Sequence, residues 1–139
     1  MAAAPPADAI RILLVDDHRL FGEAMRATLA MDGRLEVVGL AFDGAEAVRL
    51  AAELEPDVIL MDLEMPVMDG IEATRQIHDA DPTIQVLMVT SSDSPMDSAR
   101  AREAGAAGFI RKDRSAARLV EAIPEVSTLL VAFAGLREN

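Results

Sequence analysis

The stretch VILMDLEMPVMDG, residues 58–70, decides how this chain folds. Its first four residues are all apolar, without the alternation of a half-exposed strand, and such runs are typical of strands buried on both faces of a sheet. The run ends on a carboxylate, Asp62, and a Met-Pro and an Asp-Gly turn follow before residue 71. A buried strand that ends on an acidic side chain predicts a covered parallel sheet with a functional group at one edge.

Four further apolar runs repeat this pattern along the chain, at residues 12–15, 37–38, 86–89 and 109–110. The segments between them have apolar residues at helical spacing, which predicts one helix in each gap. The spaced positions are Phe21, Met25, Thr28 and Leu29, then Ala45, Val48 and Ala52, then Ile71, Thr74 and Ile77. Strands that alternate with helices predict an α/β fold, a doubly wound five-stranded parallel sheet with helices on both faces.

The predicted helices have clear start signals. Asp43 and Asp69 are each followed three residues later by Glu, an Asp form of the capping box. Ser94 precedes a proline at the first helical position, and Ser115 is the expected cap of a fifth helix that extends through Ile123. We therefore interpret Asp69 as a helix cap and assign it no chemistry.

Composition excludes several classes of function. With 139 residues, 51% of them hydrophobic, the chain suits one globular domain with a real core. A formal net charge of -11 disfavours direct contact with nucleic acid or with an anionic membrane surface. The chain has no cysteine, and it shows neither a signal peptide nor an apolar segment of membrane-spanning length. We therefore expect a cytoplasmic protein.

Polar side chains follow the ends of the predicted strands. Asp16 and Asp17 come after the first strand, Asp62 after the third, Thr90 at the end of the fourth and Lys112 after the fifth. These ends share one edge of a parallel sheet, so the side chains should converge there. Two carboxylates about 4 Å apart repel by about 4 kcal/mol at an effective dielectric constant of about 20, so three of them require cations.

The residue types at this edge indicate phosphoryl chemistry. Oxygen ligands favour Mg²⁺ over zinc, and we expect Asp16 and Asp17 to hold that ion. Asp62 is then the nucleophile toward phosphorus, while the ion and Lys112 neutralise the phosphoryl oxygens. Thr90 is placed to hydrogen-bond the bound group, which would make the site a switch.

The two histidines are given no part in this chemistry. We interpret His18 as a partly exposed loop residue and His78 as a residue late in a helix, and neither as a phosphodonor or a metal ligand.

Four segments together resemble the receiver domain of two-component response regulators: ILLVDDH, VILMDLEMPVMDG, VTSSD and GAAGFIRKD. The resemblance covers residues 10–123 and implies a flavodoxin-like sheet with strand order 2-1-3-4-5. It also implies that Asp62 accepts a phosphoryl group from a sensor histidine kinase. Mg²⁺ would then be held by Asp17, Asp62 and the backbone carbonyl of Glu64.

The same resemblance implies how phosphorylation at this site changes the structure of the output face. Thr90 and Phe109 would form a coupled switch pair that moves the face built by the fourth helix, fifth strand and fifth helix. That face would control a partner or a DNA-binding output domain. A receiver of this kind assists its own phosphorylation and dephosphorylation and is not an enzyme acting on other substrates.

The DDH start and the GAAGFIRKD block resemble most closely the NarL/FixJ subfamily of receivers. We expect a disordered tail over residues 1–9, a receiver domain over residues 10–124 and a C-terminal helix over residues 125–139. That last segment resembles the linker to a helix-turn-helix domain, and no such domain follows it in this sequence. Its apolar stripe, at Val126, Leu129, Leu130, Phe133 and Leu136, predicts a helix that docks either on its own domain or on a second copy of the chain. A homodimer would form through this helix or through the output face.

The sequence fits three other functions less well. An aspartate-nucleophile phosphatase of the haloacid dehalogenase type needs a second Asp two residues after the nucleophile, where this chain has Glu64. A flavodoxin-like cofactor binder needs a phosphate loop after the first strand, where Asp16 and Asp17 would repel phosphate. A receiver-shaped scaffold that works unphosphorylated would not require the acidic pair, Asp62 and Lys112.

Overall fold

The computed structural model describes residues 9–111 of the chain. Lys112, the predicted fifth helix and the apolar stripe of residues 126–136 lie outside the described residues, as does most of the predicted N-terminal tail. Ala9, the last residue assigned to that tail, is buried. Among the described residues, no helix is long and apolar enough to cross a membrane.

Five parallel strands form one sheet: β1 (Ile10–Val15), β2 (Leu35–Ala41), β3 (Val58–Met61), β4 (Gln85–Thr90) and β5 (Gly108–Arg111). Their order across the sheet is β2-β1-β3-β4-β5, and every neighbouring pair is parallel. The predicted strands and the 2-1-3-4-5 order are therefore confirmed.

Four helices connect the strands: α1 (Arg19–Leu29), α2 (Gly44–Leu54), α3 (Gly70–Ala80) and α4 (Pro95–Glu103). The predicted caps are confirmed, because Asp43 and Asp69 accept hydrogen bonds from the backbone N–H groups of Glu46 and Glu72. Ser94 caps α4 in the same way, with the proline at the first helical position.

The apolar residues of each central strand divide between two core clusters, because successive side chains point to opposite faces of the sheet. On one face Ile12, Leu14 and Leu60 pack with Met25 and Leu29 of α1. On the other face the core side chains of α2, α3 and α4 pack against Leu13, Val15, Ile59, Met61, Val86 and Met88. Helices therefore cover both faces, as the sequence predicted.

The predicted burial needs two corrections. The middle of β2 is only half-buried, because β2 is an edge strand of the described sheet and only its first and last residues enter the core. Two of the three positions predicted for the apolar face of α2 were wrong: Ala45 and Ala52 are exposed, whereas Val48 packs against the core beside the buried Ala47 and Ala51. Alanine is abundant on both faces of α2, so its spacing does not fix the rotation of the helix.

Candidate metal and phosphoryl-acceptor site at the carboxyl edge

Two adjacent strands carry the acidic residues to one place. The register pairs Val15 of β1 with Met61 of β3, so the residues that follow these strands leave the sheet side by side. The N–H of Asp62 donates to the carbonyl of Val15 at 2.9 Å, and the N–H of Asp16 donates to the carbonyl of Ala41 at 3.0 Å. Both backbones are therefore fixed by the sheet ladder up to the residues that carry the carboxylates.

The side chains of Asp16, Asp17, His18 and Asp62 form one cluster, which we call the acidic cluster. One potential ligand atom from each residue lies within 4.8 Å of those of the other three. Asp16 and Asp62 are each only 6% exposed, whereas Asp17 and His18 are open to solvent. Grouped carboxylates that are partly removed from water favour a bound cation, because burial raises the free energy of each charge.

The donor set of the acidic cluster fits a divalent metal ion. Three carboxylates supply oxygen atoms, the ligand type that hard divalent ions prefer, and the exposed side of the cluster leaves room for water ligands. The cluster can therefore bind a metal, in keeping with the expectation that Asp16, Asp17 and Asp62 surround a cation.

His18 belongs to the cluster although sequence reasoning set it aside. Its Nδ1 lies 3.3 Å from Oδ1 of Asp16 and 3.4 Å from Oδ1 of Asp17. Its backbone N–H donates to Asp16 Oδ1 at 2.8 Å, which closes a turn immediately after β1. The available signal was the direct adjacency of DDH, since a turn that curls back on the first Asp brings the third side chain over the pair.

The loop from Asp62 to α3 is held by two close backbone contacts. The N–H of Gly70 donates to the carbonyl of Leu63 at 2.8 Å, and a Cβ on Gly70 would lie 2.0 Å from the carbonyl oxygen of Asp62. At the start of α2, the N–H of Gly44 donates to the carbonyl of Met68 at 3.1 Å. The two Asp-Gly cap sequences thus also bring α2 and α3 against the loop that carries the acceptor candidate.

Within this loop Val67 has a left-handed backbone, with φ of 68°. A β-branched residue in this region costs about 1–2 kcal/mol relative to its preferred conformations. Its side chain is 84% exposed, so contacts of that side chain do not repay the cost. The conformation is therefore imposed by the anchored residues on either side, Leu63, Met68 and Gly70.

Thr90 is buried at the end of β4, and its hydroxyl is tied to the start of α4. Thr90 Oγ1 accepts a hydrogen bond from the N–H of Ser92 at 3.2 Å. The hydroxyl of Ser92 in turn donates to Asp97 Oδ2 at 2.5 Å, and Asp97 lies in the first turn of α4. Sequence reasoning placed Thr90 at this edge and missed the Ser92–Asp97 link, because serine-rich turns offer many pairings that only the folded loop selects.

For the other predicted site residues, Glu64, Phe109 and Lys112, the described part of the structure gives fewer contacts or none. Glu64 is exposed two residues after Asp62. Phe109 of β5 lies opposite Met88 of β4, which is two residues before Thr90. The side chain of Phe109 is half-buried against the core cluster that α2, α3 and α4 cover. Lys112 directly follows the last described residue of β5 and lies outside the described residues.

Comparison with known proteins identifies the family. The model of the response regulator receiver domain matches residues 12–124. The transcriptional regulatory protein LiaR of Bacillus subtilis is 47% identical over 120 residues, which are 85% of this chain and 56% of LiaR. The response regulator GacA of Pseudomonas aeruginosa is 41% identical over 128 residues, which are 92% of this chain and 57% of GacA.

Solved structures agree with this match. The response regulator domain of Thermotoga maritima CheB superimposes with a TM-score of 0.86 at 35% identity, covering 91% of this chain and 97% of that one. The signal receiver domain of NarL from Mycobacterium tuberculosis gives a TM-score of 0.75 at 35% identity, covering 87% and 98% of the two chains.

This chain spans about half the length of the transcriptional regulators it matches, from 50% of DegU of Brevibacillus brevis to 57% of GacA. None of these comparisons supports a phosphatase of the haloacid dehalogenase type. The matched residues include both the β1 end with its acidic pair and the β3 end with Asp62. By sequence, fold and the position of its acidic cluster, the chain belongs to the receiver domains of two-component response regulators and is most similar to their NarL/FixJ subfamily.

Proposed function

We propose that this receiver is a phosphorylation-activated switch in which Asp62 accepts a phosphoryl group from a sensor histidine kinase. The observation that carries the proposal is the gathering of Asp16, Asp17 and Asp62 at the ends of β1 and β3. One Oδ of Asp62 attacks phosphorus, the bond from phosphorus to the histidine nitrogen breaks, and the imidazole takes up a proton. The product is an aspartyl phosphate.

The neighbouring side chains prepare Asp62 for this step. Asp16 and Asp17, with Asp62 and the carbonyl of Glu64, would hold Mg²⁺, whose chemistry is to neutralise the charge of phosphoryl oxygens beside carboxylates. The burial of Asp62 limits water around the acceptor. Lys112, directly after β5, would supply a second positive charge, so that the receiver itself promotes its phosphorylation and dephosphorylation.

The hydrogen bonds of Thr90 support a way in which phosphorylation of Asp62 would change the position of α4. A phosphoryl group on Asp62 offers a charged acceptor for the Thr90 hydroxyl, and a hydrogen bond to a charged acceptor is about twice as strong as a neutral one. When Thr90 reorients toward it, the contact with the N–H of Ser92 is lost or lengthened. Because Ser92 is bonded to Asp97 in α4, that helix start would shift together with Phe109 and the α4–β5 face.

The output of the switch is inferred from the relatives. LiaR and DegU are named transcriptional regulatory proteins. We infer that this receiver controls a DNA-binding domain or a partner protein, through the face of α4, β5 and the predicted fifth helix. With a net charge of -11, the receiver would not itself contact nucleic acid.

The direct test of this function needs no kinase. When the chain is incubated with acetyl phosphate and Mg²⁺, intact-mass spectrometry should show the gain of one phosphoryl group, and chelation of the metal with EDTA should prevent it. A chain that gains no phosphoryl group from acetyl phosphate or another small phosphodonor, with its fold intact by circular dichroism, would contradict the proposal.

Millimolar Mg²⁺ should raise the melting temperature of the unphosphorylated chain. The ion binds the folded acidic cluster and relieves the repulsion among its carboxylates, so binding stabilises the folded state. At about one hundred times the dissociation constant the gain is about 2.7 kcal/mol. Thermal melts followed by circular dichroism across a Mg²⁺ series measure it.

The matched control for this melt is Asp17→Asn, which removes one charge from the cluster at an exposed position. Without metal this variant should melt at or above the wild-type temperature, and Mg²⁺ should raise its melting temperature by less. Equal responses to Mg²⁺ in the two chains would show that the ion acts elsewhere.

A further inference from the structure

His18 is the member of the acidic cluster that is not among the proposed Mg²⁺ ligands Asp16, Asp17, Asp62 and the Glu64 carbonyl. Its Nδ1 is 3.3 Å from Asp16 Oδ1 and 3.4 Å from Asp17 Oδ1. Charge-assisted hydrogen bonds between nitrogen and oxygen are shorter, about 2.7–2.9 Å. The imidazole therefore faces the two carboxylates across a shared space instead of closing a tight hydrogen bond with either.

The dimensions of that space match the surroundings of a single metal ion. With ligands at about 2.1 Å, neighbouring ligand atoms of an octahedral ion are about 3 Å apart and opposite ones about 4.2 Å apart. One ligand atom from each of Asp16, Asp17, His18 and Asp62 lies within 4.8 Å of the other three. Only a small contraction would bring all four into contact with the same ion.

The backbone holds His18 in position for this role. Its N–H donates to Asp16 Oδ1 at 2.8 Å, so the turn that orients Asp16 also fixes the Cα of His18. His18 occupies the N-cap position of α1, yet its side chain makes no capping hydrogen bond. The imidazole is 74% exposed, so it can rotate toward an ion without displacing core side chains.

We propose that His18 is a nitrogen ligand that shifts the ion preference of this centre from Mg²⁺ toward first-row transition ions such as Co²⁺ and Zn²⁺. The inference rests on the proposed function, because both concern the same metal centre. Imidazole is a good ligand for these ions, whereas Mg²⁺ strongly prefers oxygen. An additional protein donor that is nitrogen therefore adds affinity for transition ions and little for Mg²⁺.

The test compares the dissociation constants of Co²⁺ and Mg²⁺ by isothermal titration calorimetry, on the full chain without an affinity tag and at one fixed pH. His18→Gln should weaken Co²⁺ binding relative to Mg²⁺ binding by about tenfold or more. His78→Gln is the matched control, because His78 is the other histidine of the chain and lies in the last turn of α3. This control should keep the wild-type ratio of the dissociation constants for Co²⁺ and Mg²⁺.

A spectroscopic measurement reports the ligand directly. Cu²⁺ is a paramagnetic ion that imidazole binds well, so pulsed electron paramagnetic resonance of the Cu²⁺-loaded chain should show coupling to an imidazole ¹⁴N nucleus in the wild type and in His78→Gln, and none in His18→Gln. If circular dichroism shows that His18→Gln does not fold, His18→Asn serves in both measurements. An unchanged Co²⁺ to Mg²⁺ ratio, or the absence of ¹⁴N coupling in the wild type, would overturn the proposal.

The two proposals fail in different ways. Phosphorylation of the wild type by acetyl phosphate with Mg²⁺ tests the acceptor function without reference to His18. If that phosphorylation occurs and His18 leaves the metal ratio unaltered, only the role of His18 is wrong.

Discussion

Asp62→Asn is expected to abolish phosphoryl transfer from acetyl phosphate, with no adduct detectable by intact-mass spectrometry under conditions that label the wild type. An amide at this position is nearly isosteric but is not a nucleophile toward phosphorus, so the loss should be of the reaction and not of the fold. The variant also removes one negative charge from a buried part of the acidic cluster. Without metal it should therefore melt at or above the wild-type temperature.

The control for this result is Asp79→Asn, which makes the same chemical change at an exposed position in the last turn of α3. This variant should be labelled as fully as the wild type. An adduct of equal size on Asp62→Asn would place the acceptor elsewhere in the chain. A folded Asp62→Asn chain without an adduct, beside a labelled Asp79→Asn chain, would identify Asp62 as the acceptor.

Gly70→Ala is expected to lower the free energy of unfolding by about 3 kcal/mol or more, a large effect for one added methyl group. The new Cβ would lie 2.0 Å from the carbonyl oxygen of Asp62 and 3.0 Å from the Cα of Leu63, and both are backbone atoms that cannot rotate away. Either α3 or the end of β3 must move. Because the contact is to the backbone of Asp62 itself, labelling by acetyl phosphate should fall together with stability.

Urea unfolding followed by circular dichroism measures the change in the free energy of unfolding. Gly33→Ala is the matched control, since an added Cβ there would meet no atom within 4 Å. A glycine replaced by alanine without strain changes stability by about 1 kcal/mol or less, commonly in the stabilising direction. If Gly70→Ala were as stable as Gly33→Ala, the result would contradict the close contact between Gly70 of α3 and the backbone of Asp62.

Much of the fold was predictable because it depends on periodicity. The continuous apolar runs of β1, β3 and β4 predict strands covered on both faces, and these strands alternate their side chains between two cores. The caps at Asp43, Asp69 and Ser94 were predictable because a cap is a local interaction between a side chain and a backbone N–H three residues away. The order of the strands came from the family resemblance, since periodicity does not determine which strands are neighbours.

The errors arise where local pattern leaves a choice that the folded chain decides. Ala45 and Ala52 were assigned wrongly to the apolar face of α2 because alanine tolerates both sides of a helix, and only packing on the sheet selects Ala47 and Ala51 beside Val48. His18 is an exposed loop residue, as predicted, but its proximity to the two aspartates was not foreseen. Its part in the cluster depends on the turn closed by its own N–H on Asp16.

The contacts of Gly70 were likewise beyond reach from sequence. Its place after a helix cap predicts a tight turn, whereas its contact with the carbonyl of Asp62 joins residues brought together by the loop between them. The Ser92 to Asp97 hydrogen bond is of the same kind, because it depends on the angle at which α4 leaves β4. Convergence of polar groups at a sheet edge is thus predictable, and their individual partners are not.

Val67 bears on how this protein would adapt to heat. Its left-handed backbone with a branched and almost fully exposed side chain costs about 1–2 kcal/mol, which glycine at that position would largely avoid. The cost is borne by the loop that follows Asp62, yet among the described residues no core contact depends on the isopropyl group. Replacing Val67 by glycine should therefore raise the stability of this loop while it leaves the carboxylates of the acidic cluster in place.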